Sequence, residues 1–253
     1  MKLVTWNINS LKARGEHLAA FLDRVSPSVI CLQELKQSTD DVDRSLFTDR
    51  GYHVAVHGQK TYNGVAIASK FPLSDVQYGH EGIEQGQARY IAATVADLRI
   101  VNLYCPQGRA VDHEFFTYKL AFYDALIAHL AEVRTDATLI TGDLNIAALN
   151  DDIWDPVYWA GKCSFTDEEH ARWARLLELG FVDAVKPYLD DRTFTFWDYR
   201  ARAFELGHGM RIDHWLLSPA MNALVQGATV HREERELEKA SDHAPVALDL
   251  AWS

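Results

Sequence analysis

Leu3-Val4-Thr5-Trp6-Asn7-Ile8 carries the β-branched and aromatic residues that suit a strand. Ser10 follows as a candidate N-cap, and Leu18, Phe21, Leu22 and Val25 then recur at helical spacing until Ser26-Pro27 interrupts them. The next stretch, Val29-Ile30-Cys31-Leu32-Gln33-Glu34, opens with a short continuous apolar run, the pattern of a strand covered on both faces. Together these segments form a βαβ-like opening.

Working outward, Tyr52 to Val56, Val65 to Ser69, Tyr90 to Val95 and Ile100 to Tyr104 are further strand candidates, the last two joined by a turn containing Asp97. A helix is predicted from Phe115 to about Arg134, followed by a buried strand from Thr138 to Thr141, so the second half repeats the logic of the first. A helix over roughly Glu168 to Leu179 ends at Gly180, and strands are expected at Thr193 to Tyr199, Ile212 to Leu217, Ala228 to Val230 and Val246 to Ala251. With no linker or repeat between the halves, the pattern predicts a single domain over residues 1–253, built as two mixed sheets packed face to face with helices outside.

The chain has 253 residues with 25 Lys+Arg against 36 Asp+Glu, a net charge of −11. That excess excludes a histone-like coat on phosphate backbones but permits a nucleic-acid partner met by locally placed basic groups. Cys31, Cys105 and Cys163 are widely spaced and match no zinc pattern, which fits a reducing cytoplasm. The N-terminus turns polar too soon for a signal sequence, so the chain is expected to begin at or near Met1, and no apolar run approaches a membrane span.

Metal-competent polar residues stand where the strands run out. Asn7 closes the first strand, Glu34 the second and Tyr104 a later one; Gly142-Asp143-Leu144-Asn145 follows the Thr138 strand, Asp213 opens the Ile212 strand and Ser241-Asp242-His243 precedes the last. Taken singly, an Asp-x-Asn after a strand reads as a turn, and Glu34 reads as a carboxylate paired with Lys36. As a set, four carboxylates, two amides and one imidazole form a hard, sulfur-free donor group suited to Mg²⁺ or Mn²⁺ and to phosphoryl chemistry.

Trp6-Asn7-Ile8-Asn9, Gln33-Glu34-Leu35-Lys36, Asn102-Leu103-Tyr104-Cys105-Pro106, Gly142 to Ala147, Trp197-Asp198-Tyr199-Arg200, Arg211-Ile212-Asp213-His214 and Ser241 to Pro245 resemble, in order, the motifs of the exonuclease III family of DNA-repair nucleases. The resemblance implies a four-layer α/β sandwich with Mg²⁺ bound by Glu34, with Asn7 and Asp242 nearby, and a second metal, if present, using Asp143, Asn145 and His243. It further implies that Asp143 activates or positions water, that Asn145 orients it or stabilises the transition state, that His243 steered by Asp213 holds a phosphate oxygen, and that Tyr104 contacts the scissile phosphate. Phe196, Met210 and Ile212 would wall a pocket for a base-less deoxyribose. Met210 stands where the family often carries Trp, which softens the wall; Phe196 in place of a frequent Trp is a mild change, since both supply an aromatic face, and Gln107 stands for a frequent Asn.

Lys12, Arg14, Lys36, Lys60, Arg89, Arg109, Arg200, Arg202 and Arg211 lie in or beside these motifs and are the expected phosphate contacts, with Lys36 and Arg109 foremost. The resulting expectation is a monomeric, cytoplasmic, Mg²⁺-dependent phosphodiesterase acting on duplex DNA at abasic sites, cutting 5′ to the lesion, and at 3′ ends. Two alternatives remain open at this point: a phosphatase or phosphodiesterase for RNA, inositol phosphates or lipid headgroups, and a non-catalytic nucleic-acid-binding regulator.

Overall fold

The computed structural model describes residues 1–252. In chain order its strands are β1 (Lys2–Asn7), β2 (Val29–Gln33), β3 (His53–His57), β4 (Val65–Ser69), β5 (Leu73–Tyr78), β6 (Tyr90–Val95), β7 (Leu98–Tyr104), β8 (Thr138–Asp143), β9 (Val182–Asp183), β10 (Asp213–Leu217), β11 (Val225–Val230) and β12 (Val246–Leu250). They form two six-stranded mixed sheets, ordered β11-β12-β1-β2-β4-β3 and β5-β6-β7-β8-β10-β9. Helices cover the outer faces, giving the expected four-layer α/β sandwich.

Strand alternation divides the core. Leu3 in β1 and Trp215 and Leu217 in β10 join the cluster between the sheets. Val4 and Trp6 face the other way, onto Leu18, Phe21 and Leu22 of the Leu11–Val25 helix. On the second sheet, Val101, Leu103 and Leu216 pack against Phe122, Tyr123 and Leu126 of the Glu114–Val133 helix. Ser10 caps the first helix through its side chain, and Ser26 ends it in the left-handed conformation just before Pro27. Among the described residues, no helix is long and apolar enough to cross a membrane.

The topology gathers the site at one edge. β1 and β2 run parallel, as do β7 and β8, so the C-terminal ends of each pair emerge together. β10 is antiparallel to β8 with Asp213 opposite Asp143, and β12 is antiparallel to β1 with Val246 opposite Thr5. The starts of β10 and β12 therefore lie level with the ends of β8 and β1, where ligand clefts form at strand termini.

One strand expectation needs correction, and two strands, β5 and β9, were not expected. Thr193 to Tyr199 is not a strand: Phe196 makes only isolated bridges to Met210 and His243, because its backbone partners come from loops rather than from a neighbouring strand. β5 has no apolar alternation to reveal it; it is an edge strand with a bulge between Ser74 and Gln77, and only one of its sides is paired. β9, two residues long, was also not expected.

Candidate active site

Tyr104 and Asp143 at the ends of β7 and β8, Glu34 just past β2, and Asp242 and His243 ahead of β12 line a shared cleft of about 880 Å³. Asn7, at the end of β1, is fully buried and donates from Nδ2 to Glu34 Oε1 at 3.0 Å and to Asp143 Oδ2 at 2.9 Å, joining the two sheets across the cleft floor. Asp143 ends β8, and its Oδ1 accepts the Asn145 backbone N–H at 3.0 Å, a local turn that turns Asn145 into a left-handed conformation. Gly142 is required here: at φ +132 its neighbour is the Leu103 carbonyl, which an added Cβ would strike.

His243 Nδ1 donates to Asp213 Oδ2 at 2.8 Å, and its Nε2 lies 3.7 Å from Asp143 Oδ2. The Ser241 hydroxyl holds this loop by donating to Asn7 O at 2.7 Å and accepting the His243 N–H at 3.2 Å. The electrostatics follow from burial among like charges. Burial, with Asp213 and Glu34, pushes the Asp143 carboxyl up to about 7, against the opposing pull of His243 and Asn7. Burial alone would lower His243, but the Asp213 and Asp143 carboxylates outweigh it and raise the imidazole to about 10.

Glu34 is partly buried, yet Lys36, Asn7 and Tyr104 outweigh the desolvation and hold its carboxyl below the usual range. The Lys36 ammonium is 2.8 Å from Glu34 Oε2, so the pairing read from sequence exists inside the cleft. Tyr104, at the end of β7, is kept in its phenol form by burial and by the neighbouring Glu34 and Asp143 charges. Asp242 accepts a hydrogen bond from Asn9 Nδ2 at 2.8 Å. Asn9 was not among the expected site residues, although it stands two positions after Asn7 in the first motif; it also accepts from Lys36 and donates to the Tyr199 hydroxyl at 3.3 Å.

The donor set fits a hard divalent cation. Glu34, Asp143 and Asp242 line one cleft with Asn145, and Lys36 and His243 are the cations that stand directly against Glu34 and Asp143. Asp143, Asp213 and His243 bring ligand-capable atoms within 4.8 Å of one another. Among the described residues, Asp213 Oδ1 is buried with no hydrogen-bond partner.

Phe196, Met210 and Ile212 line the cleft, and the Phe196 ring lies 4.9 Å from the His243 ring. Arg109 reaches the opposite rim, its guanidinium 4.2 Å above the Phe115 ring. The other basic residues divide. Lys12 and Lys60 are exposed, and Arg200 and Arg202 are exposed but paired with Asp198 and Glu205. Arg14 is pinned by the Lys239 and Ala240 carbonyls and by the Tyr199 hydroxyl.

Two of the expected phosphate contacts are buried. Arg89 stacks 4.7 Å over the Tyr104 ring and donates to the Tyr104 carbonyl at 3.1 Å, supporting the site from behind. Arg211 is 1% exposed and clamped between Asp152 and Asp183, each at 2.7–2.8 Å. Behind the floor, Gln33 Nε2 donates to Thr5 Oγ1 at 2.9 Å and Asn102 Oδ1 at 2.7 Å, a buried amide link between the sheets that no spacing pattern signals.

Residues 4–243 match the model of the Endonuclease/Exonuclease/phosphatase family. The exodeoxyribonuclease III of Haemophilus influenzae is 35% identical, covering 97% of this chain and 98% of its own. Among solved structures, the 3′ phosphatase NExo from Neisseria, bound to a product DNA hairpin, superposes with a TM-score of 0.97 at 38% identity over 100% of both chains. An AP endonuclease from Archaeoglobus fulgidus gives 0.94 at 31% identity over 99% of both. With its motifs converging on one cleft and this likeness spanning nearly its full length, the chain belongs to the Endonuclease/Exonuclease/phosphatase family, in its exodeoxyribonuclease III branch.

Proposed function

We propose that the protein is a Mg²⁺-dependent DNA-repair phosphodiesterase that incises duplex DNA 5′ to abasic sites and trims or dephosphorylates 3′ ends, acting as a cytoplasmic monomer with residues 1–253 as one catalytic domain. One observation carries this reading: the hydrogen-bonded His243–Asp213 pair faces Asp143, with His243 Nε2 3.7 Å from Asp143 Oδ2, in a cleft that also holds Glu34, Tyr104 and an apolar wall. The names of the relatives, an exodeoxyribonuclease III, a DNA 3′ phosphatase and an AP endonuclease, support DNA as the substrate class.

In this reading Glu34, Asn7 and Asp242 hold Mg²⁺, with Mn²⁺ as substitute. When bound, the metal neutralises phosphate charge and stabilises the leaving oxygen. The protein's own groups do the rest. Asp143, poised near neutrality, accepts the proton of the attacking water, the condition for efficient general-base action at physiological pH. Asn145 orients that water. His243 stays protonated through Asp213 and donates from Nε2 to a non-bridging phosphate oxygen, while the Tyr104 hydroxyl, kept protonated, donates to the same phosphate. Phe196, Met210 and Ile212 accept an extruded sugar without its base, since an intact nucleotide must first unstack and then find room for the base.

The test is a duplex with one internal abasic analogue, 5′-labelled, incubated with Mg²⁺ or EDTA and resolved on a denaturing gel. A Mg²⁺-dependent product ending immediately 5′ to the lesion supports the reading. A ladder shrinking from the 3′ end would make exonuclease the main activity, and an intact strand would overturn the substrate assignment.

A further inference from the structure

Lys119 sits on the Glu114–Val133 helix, among Phe116, Phe122 and Tyr123, and is fully buried. A lysine in such a place needs every proton matched. Its Nζ pairs with Glu169, equally buried, and donates to Asn145 O at 2.6 Å and to Gln107 O at 3.3 Å. Glu169 is saturated in turn: Oε1 also accepts the Ser164 N–H at 2.9 Å, and Oε2 accepts the Thr166 N–H at 3.0 Å and hydroxyl at 2.8 Å. One ion pair thus ties together three loops that edge the cleft, those carrying Gln107, Asn145 and Ser164.

Stability alone does not account for two buried charges, since well-packed apolar side chains of similar volume match or exceed such a pair. Apolar side chains could not hold the Asn145 carbonyl. Asn145 is a non-glycine residue at φ +52, and its side-chain Nδ2 is already committed to the Cys105 carbonyl at 2.9 Å. Lys119 is the group that fixes its backbone from the other side. Resting on the role given above to Asn145, we propose that the Lys119–Glu169 pair is a positioning device that sets the orientation of Asn145 and thereby turnover, without touching DNA.

The experiment is a kinetic double-mutant cycle on the abasic duplex in Mg²⁺, using Lys119→Met/Glu169→Leu so that no buried charge is left unmatched, with Asn145→Ala as the second arm. The paired variant is expected to keep its melting temperature within a few degrees of wild type. A small displacement of a catalytic group lowers kcat by ~10- to 100-fold, while KM stays within about threefold because ground-state binding is untouched. Added to Asn145→Ala, it should produce less than about threefold further loss, since the two act through one group. Wild-type kcat in the folded paired variant, or the full loss persisting in the Asn145→Ala background, would overturn the proposal. Wild-type turnover in Asn145→Ala by itself would instead overturn the role of Asn145, and the proposal with it. Should the paired variant not fold, Lys119→Met/Glu169→Gln, which likewise leaves no buried charge unmatched and keeps a polar side chain at position 169, carries the same cycle with the same two outcomes.

Discussion

Arg211→Met is the most informative single perturbation of the scaffold. Its guanidinium makes a two-pronged pair with Asp152, Nε to Oδ1 at 2.7 Å and Nη2 to Oδ2 at 2.8 Å, and reaches Asp183 from Nη1 at 2.8 Å. Burial would weaken the Arg211 charge, but the two aspartates raise its proton affinity further; against its own burial, Asp183 is held well below the usual carboxylate range by the His214 hydrogen bond together with the Arg211 charge. Methionine fills the stem but leaves Asp152 buried and unpaired and Asp183 with only His214. Breaking a buried pair of this kind costs about 3–5 kcal/mol, about a fifth or more of the stability of an ordinary domain. For a chain of this size each kcal/mol lowers Tm by about 2–4 °C, so a drop of roughly 6–20 °C is expected in a thermal melt followed by circular dichroism. Had Arg211 instead met a DNA phosphate, the variant would melt like wild type and its binding would lose about 0.9 from the slope of log affinity against log salt. That pair of results would refute the buried-clamp account.

Asp143→Asn and His243→Ala should each cut single-turnover cleavage by orders of magnitude while leaving the fold intact by circular dichroism, as expected of groups acting in the transition state. Because Asp143 must be ionised to accept a proton and His243 protonated to donate one, kcat/KM should rise with pH up to an acid limb at or below about 7 and decline near 10, measured across a buffer series in saturating Mg²⁺. Asp183 has a depressed carboxyl, so its contribution to stability is complete above its unfolded value near 4 and is lost as the pH falls below it; urea unfolding of Asp183→Asn should show a lower plateau at neutral pH and a flatter acid slope than wild type. Gly142→Ala should abolish cleavage and lower Tm, because the new Cβ meets the Leu103 carbonyl beside Asp143; wild-type activity in that variant would contradict the close approach.

Much of the fold was legible because most of its strands are apolar runs bounded by turns. Val29-Ile30-Cys31-Leu32 and Val65 to Ser69 are buried throughout, and their sequence says so without reference to any partner. The alternating aromatics from Thr193 to Tyr199 misled for a physical reason: Phe196 faces the cleft while Phe194 and Trp197 enter a small separate core with Ala203 and Ala244, so the alternation reflects two environments rather than a pleat. Asn7, Tyr104, Asp143 and Asp213 stood out as candidates because each stands at a strand terminus. What spacing could not convey is which charges meet from a distance. Arg211 lies next to the apolar wall in sequence, yet its partners Asp152 and Asp183 arrive from two other segments and draw it inward. Lys119, on the apolar face of its helix, and Glu169, in a capping position, each look ordinary alone; only packing makes them one unit.

The central claim, that divalent-metal-dependent phosphodiester cleavage occurs at the strand-end cleft built around Glu34, is tested most directly by titrating Mg²⁺ against single-turnover cleavage of the abasic duplex by wild type and by Glu34→Gln. The account predicts no cleavage by wild type in EDTA, saturable recovery with Mg²⁺, and a requirement shifted upward by ~10-fold or more in Glu34→Gln, the scale expected when the surroundings of a bound metal are altered. Superimposable Mg²⁺ curves for the two proteins, or cleavage that survives EDTA, would contradict it.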